Sequence, residues 1–195
     1  MTQPLTASPA DSSATPAVRR VPFRSPRVPA LVAQCSIGLY ALTGPFASIP
    51  LARREVMGPL GSASNLLQLV AGVSFLVWFS RCRHNAEILA PGTVAHEPGW
   101  AIGAWFVPVL SWWRPRRIAL GILRASGDAA ADRLVDVWWV LWVAMQVGSP
   151  VIYWGHQHSV PLAAANSVLI ALAATFAVLV IRRLTAAQLS APQPD

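Results

Sequence analysis

Three aspartates, Asp128, Asp132 and Asp136, follow one another at intervals of four residues, a spacing that puts them on one face of a helix. Arg114, Arg116 and Arg117 precede them on the neighbouring segment. Carboxylates in such a ladder can hold a magnesium ion, and guanidinium groups can grip phosphate oxygens by charge-assisted hydrogen bonds. Together they would suit a membrane-embedded enzyme acting on an isoprenoid or lipid (di)phosphate, with Asp128, Asp132 and Asp136 catalytic and Mg2+ as cofactor. The same residues also have a use without chemistry. Asp128 can cap a helix whose first turns favour acids, and Arg124 and Arg133 stand at i−4 to Asp128 and i−3 to Asp136. Like charges at i, i+4 cost only ~0.2–0.5 kcal/mol per pair, which those arginines offset.

A second group lies just upstream. Pro98 to Trp113 is a Trp-rich apolar segment between two arginine clusters. Trp100, Trp105, Trp112 and Trp113 form either an interfacial aromatic belt or the lining of a pocket for an apolar or lipid ligand. Asn85 and Glu87, at the end of the preceding helix, are placed to cap or receive this piece. The expected ligand-binding set is therefore Asn85, Trp100, Trp105, Arg114, Arg116 and Arg117. Ile118, Ile122 and Ala125 share one face and Arg117, Gly121 and Arg124 another, the pattern of a short amphipathic helix at a membrane surface.

Other chemistry is poorly served. His84, Glu87, His96 and Glu97 have spacings that match no zinc pattern, and His156 and His158 are predicted on the opposite face. No nucleophile–base pair, Gly-rich phosphate loop or redox CxxC is present, and Cys35 and Cys82 read as small apolar fillers.

The elements that position these residues follow from composition. Of 195 residues, 54% are hydrophobic and only 12% charged, about half the charged share of a soluble domain. The net charge of +7 comes from arginines alone, and they flank apolar runs, as topogenic charges and ligands for anionic headgroups do, so nucleic acid is not an expected partner. Residues 1–27 read as a disordered Pro/Ser/Ala-rich tail and 186–195 as a short disordered one, with the membrane domain at 28–185. Charge-free windows at 28–52, 56–80, 137–155 and 159–181 each hold the ~20 residues of a spanning helix, and Gly44-Pro45 and Ser149-Pro150 predict kinks in two of them. The window 98–113 would reach only about 24 Å, short of the ~30 Å hydrocarbon core, and contains Pro108.

Arginine placement arbitrates between topologies. With four spans and a re-entrant 98–126, 13 arginines lie inside and 2 outside; with five spans the counts are 6 and 9. The positive-inside rule prefers four spans with both termini cytoplasmic. Gln34, Tyr40, Asn65, Gln68, Gln146 and Asn166 are the polar residues within spans and read as interhelical hydrogen-bond glue.

The runs WFSRCRHNAEIL (78–89), PGWAIGAWFVPVLSWWRPRRI (98–118) and VDVWWVLW (135–142) resemble an uncharacterised family of actinobacterial integral-membrane proteins. That family pairs a WF…R…NA…L helix end with a PGW-x-x-G-x-WF-x-P…WRP signature. Asn85, Pro98, Gly99, Trp100, Trp105, Phe106, Pro108, Trp113, Arg114 and Pro115 match it; Ser111-Trp112 departs from its usual Asn-Leu. The resemblance implies architecture and no activity. The expectation is an all-α polytopic bundle in a bacterial cell membrane, with four spanning helices plus a re-entrant or interfacial element. Its expected partners are membrane lipids, with a partner membrane protein or further copies of itself as alternatives. The function expected first is a lipid- or partner-binding module, with the phosphate enzyme and a small-molecule permease as alternatives.

Overall fold

The computed structural model describes residues 22–47, 57–94, 99–155 and 159–192, and among them there is no strand. Six α-helices follow in order: α1 (Arg27–Ala47), α2 (Met57–Leu89), α3 (Trp100–Phe106), α4 (Arg114–Ala125), α5 (Asp132–Gly155) and α6 (Val160–Ser190). The all-helical class agrees with the sequence. Among the described residues two helices, Ala63–Leu89 and Val160–Ser190, are long and apolar enough to cross a membrane, against the four expected. The difference lies in α1 and α5. α5 opens on Asp132, Arg133 and Asp136, ahead of the neutral run that begins at Val137.

The long helices form two antiparallel pairs. Ser36 of α1 and Ser74 of α2 share a hydrogen bond of 2.8 Å, and Ser149 of α5 donates to Asn166 of α6 at 2.9 Å. α1 also packs along α6, which closes the four into one bundle. Asn166 thus does serve as interhelical glue, whereas the Ser36–Ser74 bond has no counterpart in the polar residues singled out from sequence. Pro150 lies inside α5, and the helix continues through it.

The core sits at one end of this bundle. Trp78, Phe79, Cys82 and Ala86 of α2, Ile122 and Leu123 of α4, Val135 of α5 and Ile181 and Leu184 of α6 are all buried. Away from that end, Leu66 and Leu69 of α2 and Val140 of α5 are 62–66% exposed. Apolar side chains left uncovered along several helices are unusual for a water-soluble monomer.

α4 is the lid on the core. Pro115 occupies its first turn, where a missing N–H costs nothing. Pro115, Ile118, Ala119, Ile122 and Leu123 form its buried face, which rests on protein. The amphipathic face expected to meet lipid is therefore spent on α2 and α5. Gly127, at φ 78°, ends the helix: its N–H bonds Arg124 O and the Asp128 N–H bonds Leu123 O, the two bonds of a Schellman motif. Gly121 faces Val94, and a Cβ there would lie 3.2 Å from Val94 Cγ1. Gly121→Leu is expected to destabilise the protein by about 1–3 kcal/mol through overpacking, read as a lower melting temperature in detergent. Gly72→Leu, whose Cβ meets nothing within 4 Å, should not do so.

Two boundaries differ from the sequence expectation. α6 runs five residues past 185, because Thr185 and Gln188 are buried and bonded to α2. Residues 22–26, assigned to the tail, lie against α2, with Pro26 buried; residues 1–21 fall outside the described residues.

Candidate functional site

The charged end of the bundle gathers most of the residues singled out by sequence, and it divides them into separate arrangements. The aspartates come first. Arg183 of α6 donates to Asp128 through two nitrogens, at 2.6 and 3.2 Å. Arg124 reaches Asp132 at 3.2 Å, and Arg116 reaches Asp136 at 2.7 Å. Each carboxylate thus turns to its own arginine, and among the described residues no three His, Cys, Asp or Glu side chains converge to hold a metal ion. The ladder fails for a local reason. Gly127 breaks the chain before Asp128, and a 3-10 turn at Ala129–Ala131 separates Asp128 from the face that carries Asp132 and Asp136. Asp128 does not cap α5 with its side chain either; the pairs tie α4 and α6 to the start of α5.

The Trp-rich segment forms α3, a turn through Pro108, and a 3-10 turn at Leu110–Trp112 leading into α4. Trp105 stands edge-on to Phe75, Phe79, Trp139 and Trp142, with centroids 5.2–6.1 Å apart. Such tilted contacts match the positive edge of one ring to the negative face of another. Trp100 is elsewhere: the Arg114 guanidinium lies 4.2 Å from its ring centroid, a cation–π contact. The Trp105 Nε1 and Arg114 Nη1 atoms are both buried without a hydrogen-bond partner. Trp112 and Trp113 are exposed, although the Trp112 carbonyl accepts from Trp139 Nε1 at 3.2 Å. Arg117 is exposed on the outer side of α4.

Beside Trp105 a cavity of about 290 Å3 runs between α1, α2, α5 and α6. Phe75, Trp138, Trp142 and Ala173 are among its walls, and Tyr40, Gln68 and Gln146 supply its polar atoms. Three residues read as glue thus face a cavity instead.

Asn85 belongs to neither group. It is fully buried; its Nδ2 donates to Arg24 O at 2.8 Å and to Gln188 Oε1 at 3.3 Å, and its Oδ1 accepts from Arg24 N at 3.1 Å. Gln188 in turn donates to Cys82 O at 2.7 Å. Asn85 therefore joins the chain before α1 to the end of α6, while Glu87 alone meets the loop that follows α2. Glu87 lies past the apolar stretch that ends at Ser80, and it accepts from Gly92 N at 3.1 Å and from Arg83 at 2.8 Å.

Arg83 is the residue sequence reasoning missed. Taken as a topogenic charge, it is only 2% exposed and bridges Glu87 and the Val94 carbonyl, at 3.0 Å. Its i, i+4 relation to Glu87, followed by Gly92 in a left-handed turn, was the available signal. His96, Glu97, His156 and His158 lie outside the described residues.

A comparison with known families finds one match, over residues 52–188, described as "Domain of unknown function (DUF4328)". No curated protein and no solved structure matches the chain.

Proposed function

We propose that this chain, which belongs to the DUF4328 family, is a multi-pass membrane module that holds the apolar part of a lipid between its helices. The observation that carries the reading is the cavity of about 290 Å3 beside Trp105, walled by aromatic and aliphatic side chains with a few polar groups. Its size is near the lower end of the ~300–1,000 Å3 typical of small-ligand sites.

Four spans with both termini cytoplasmic suit this arrangement. α1 has 21 residues and α5 has 24, enough to rise about 32 and 36 Å across a ~30 Å core. α3 has seven, about 10 Å, too short to cross. Asn85 binds both Arg24 and Gln188, so the start of α1 and the end of α6 share one end of the bundle, as an even number of crossings requires. On this reading α3 and the turn after it dip into the bilayer and return.

Topology is tested with His96→Cys and Ala130→Cys in a Cys35→Ser background, labelled in oriented membrane vesicles. Both cysteines are expected to react from the cytoplasmic side; labelling from opposite sides would mean that residues between them cross. The cavity is tested with Gly72→Phe. Gly72 lines it and a Cβ there would meet nothing within 4 Å, so a ring can be brought into the cavity from this position, and replacing a helical glycine by a residue with a side chain favours the helix by up to about 1 kcal/mol. The wild-type protein is expected to retain lipid through purification in mild detergent, seen by native mass spectrometry, and the variant to lose it at equal or higher melting temperature. Equal lipid retention in both would sink the reading.

A further inference from the structure

A second cleft, of about 410 Å3, opens where the chain before α1 meets the end of the apolar stretch of α2. It is lined by Arg24, Val77, Ser80, Arg81, His84 and Gly99, and shares no residue with the cavity beside Trp105. Val77, Ser80, Arg81 and His84 stand at i, i+3, i+4 and i+7, one stripe of α2 that passes from an apolar side chain to a guanidinium and an imidazole. Among the described residues that line it there is no carboxylate.

The basic groups are held in place but incompletely used. Asn85 clamps the Arg24 backbone from both sides, which fixes where that side chain begins. The Arg24 side chain is itself exposed and has no partner among the described residues. Arg81 gives one bond, to Ser25 O at 3.2 Å, which braces the same stretch of chain and leaves its other nitrogens free to donate. His84 Nε2 is buried and has no hydrogen-bond partner. A buried nitrogen left unbonded is unfavourable, and here it belongs to a residue that lines the cleft together with Arg24 and Arg81.

We propose that this cleft binds a phosphate group, with Arg24 and Arg81 as its cationic clamp and the Nε2–H of His84 as a third donor. Guanidinium donors match phosphate oxygens in charge and geometry. The site is distinct from the lipid-chain cavity and stands if that reading fails. The phosphate belongs either to a lipid headgroup, for which Val77 offers apolar contact below the charges, or to a free phosphate.

The test uses the full chain in a neutral detergent, titrated separately with dioctanoyl phosphatidic acid, dioctanoylglycerol and inorganic phosphate, with bound species counted by native mass spectrometry. Saturable binding of phosphatidic acid but not of dioctanoylglycerol is expected. Arg24→Gln and His84→Leu should each weaken it, the first by at least about tenfold, the loss of one charge-assisted pair. Arg182→Gln removes an equal charge from an exposed position of α6 outside the cleft and should change it by less than about twofold. Saturable binding of inorganic phosphate with the same pattern of variants would assign the site to free phosphate. If neither compound binds saturably, or if Arg24→Gln and His84→Leu weaken binding no more than Arg182→Gln, the proposal is overturned.

Discussion

Replacing the half-buried Trp105 by alanine is expected to lower the unfolding free energy by about 3 kcal/mol, the lower end of the cost of truncating a buried aromatic residue to alanine. The neighbouring Phe106→Ala should cost less than about 1 kcal/mol, because Phe106 is 71% exposed. Trp105 is the one side chain of α3 that enters the aromatic cluster. It meets Phe75 and Phe79 of α2 and Trp138, Trp139 and Trp142 of α5, and so ties a seven-residue helix to two long ones. A helix that short has no stability of its own, so its position depends on this anchor. Trp105→Phe separates ring packing from the indole nitrogen. It keeps most edge-to-face contacts and removes a buried Nε1 that has no partner. Its cost should therefore be far below that of alanine. Chemical unfolding in detergent micelles, followed by near-ultraviolet circular dichroism, measures all three variants. Equal losses for Trp105→Ala and Phe106→Ala would mean that the cluster does not hold α3.

The helices were legible because a long helix without charges leaves a plain record in composition. Of the neutral windows 56–80 and 159–181, residues 57–80 lie in α2 and 160–181 in α6. The ends were harder, since they depend on side chains from distant segments. Nothing near Gln188 in the chain shows that it will be buried against Cys82 O, so a boundary drawn at 185 from hydrophobicity alone stops short of the end of α6. The aspartate ladder shows the reverse error. Helical periodicity is read from Asp128 onward, whereas Ala129–Ala131 form a 3-10 turn and the regular helix begins only at Asp132. The ligand-binding set was assembled from neighbours in sequence. In space Asn85, the Trp100–Arg114 stack and the Trp105 cluster are three arrangements, because α2 shows Asn85 to α6 and to the chain before α1 while Phe75 and Phe79 meet Trp105. The charged side chains of the phosphate-binding cleft were visible, but the cleft needs Arg24 brought from the N-terminal side, a contact separated by 61 residues from Asn85.

Asn85→Leu should destabilise the protein by about 2–3 kcal/mol, since it leaves buried or half-buried polar groups without their bonds. Leucine has nearly the same shape, so the loss is one of hydrogen bonding and not of volume. Three groups are affected: the Arg24 N–H, the Arg24 carbonyl and Gln188 Oε1. Gln188 keeps its bond to Cys82 O, so the end of α6 should stay in place. Arg24 has no such second hold through its backbone; the nearest brace is the single bond from Arg81 to Ser25 O. The chain at 22–26 is thus expected to detach first, and its polar groups to return to water, which limits the cost to the lower part of what three orphaned groups would otherwise demand. Amide hydrogen exchange resolves this: the Arg24 N–H should exchange much faster in Asn85→Leu while amides around Leu184 keep their protection. Unchanged exchange at Arg24 would show that the clamp does not hold that segment. Detachment also carries the Arg24 guanidinium away from Arg81 and His84, so Asn85→Leu should weaken phosphatidic acid binding about as much as Arg24→Gln, though Asn85 itself is fully buried and does not line the cleft. A fully buried residue outside the cleft would then act on it through the backbone of another, by fixing where a distant arginine stands.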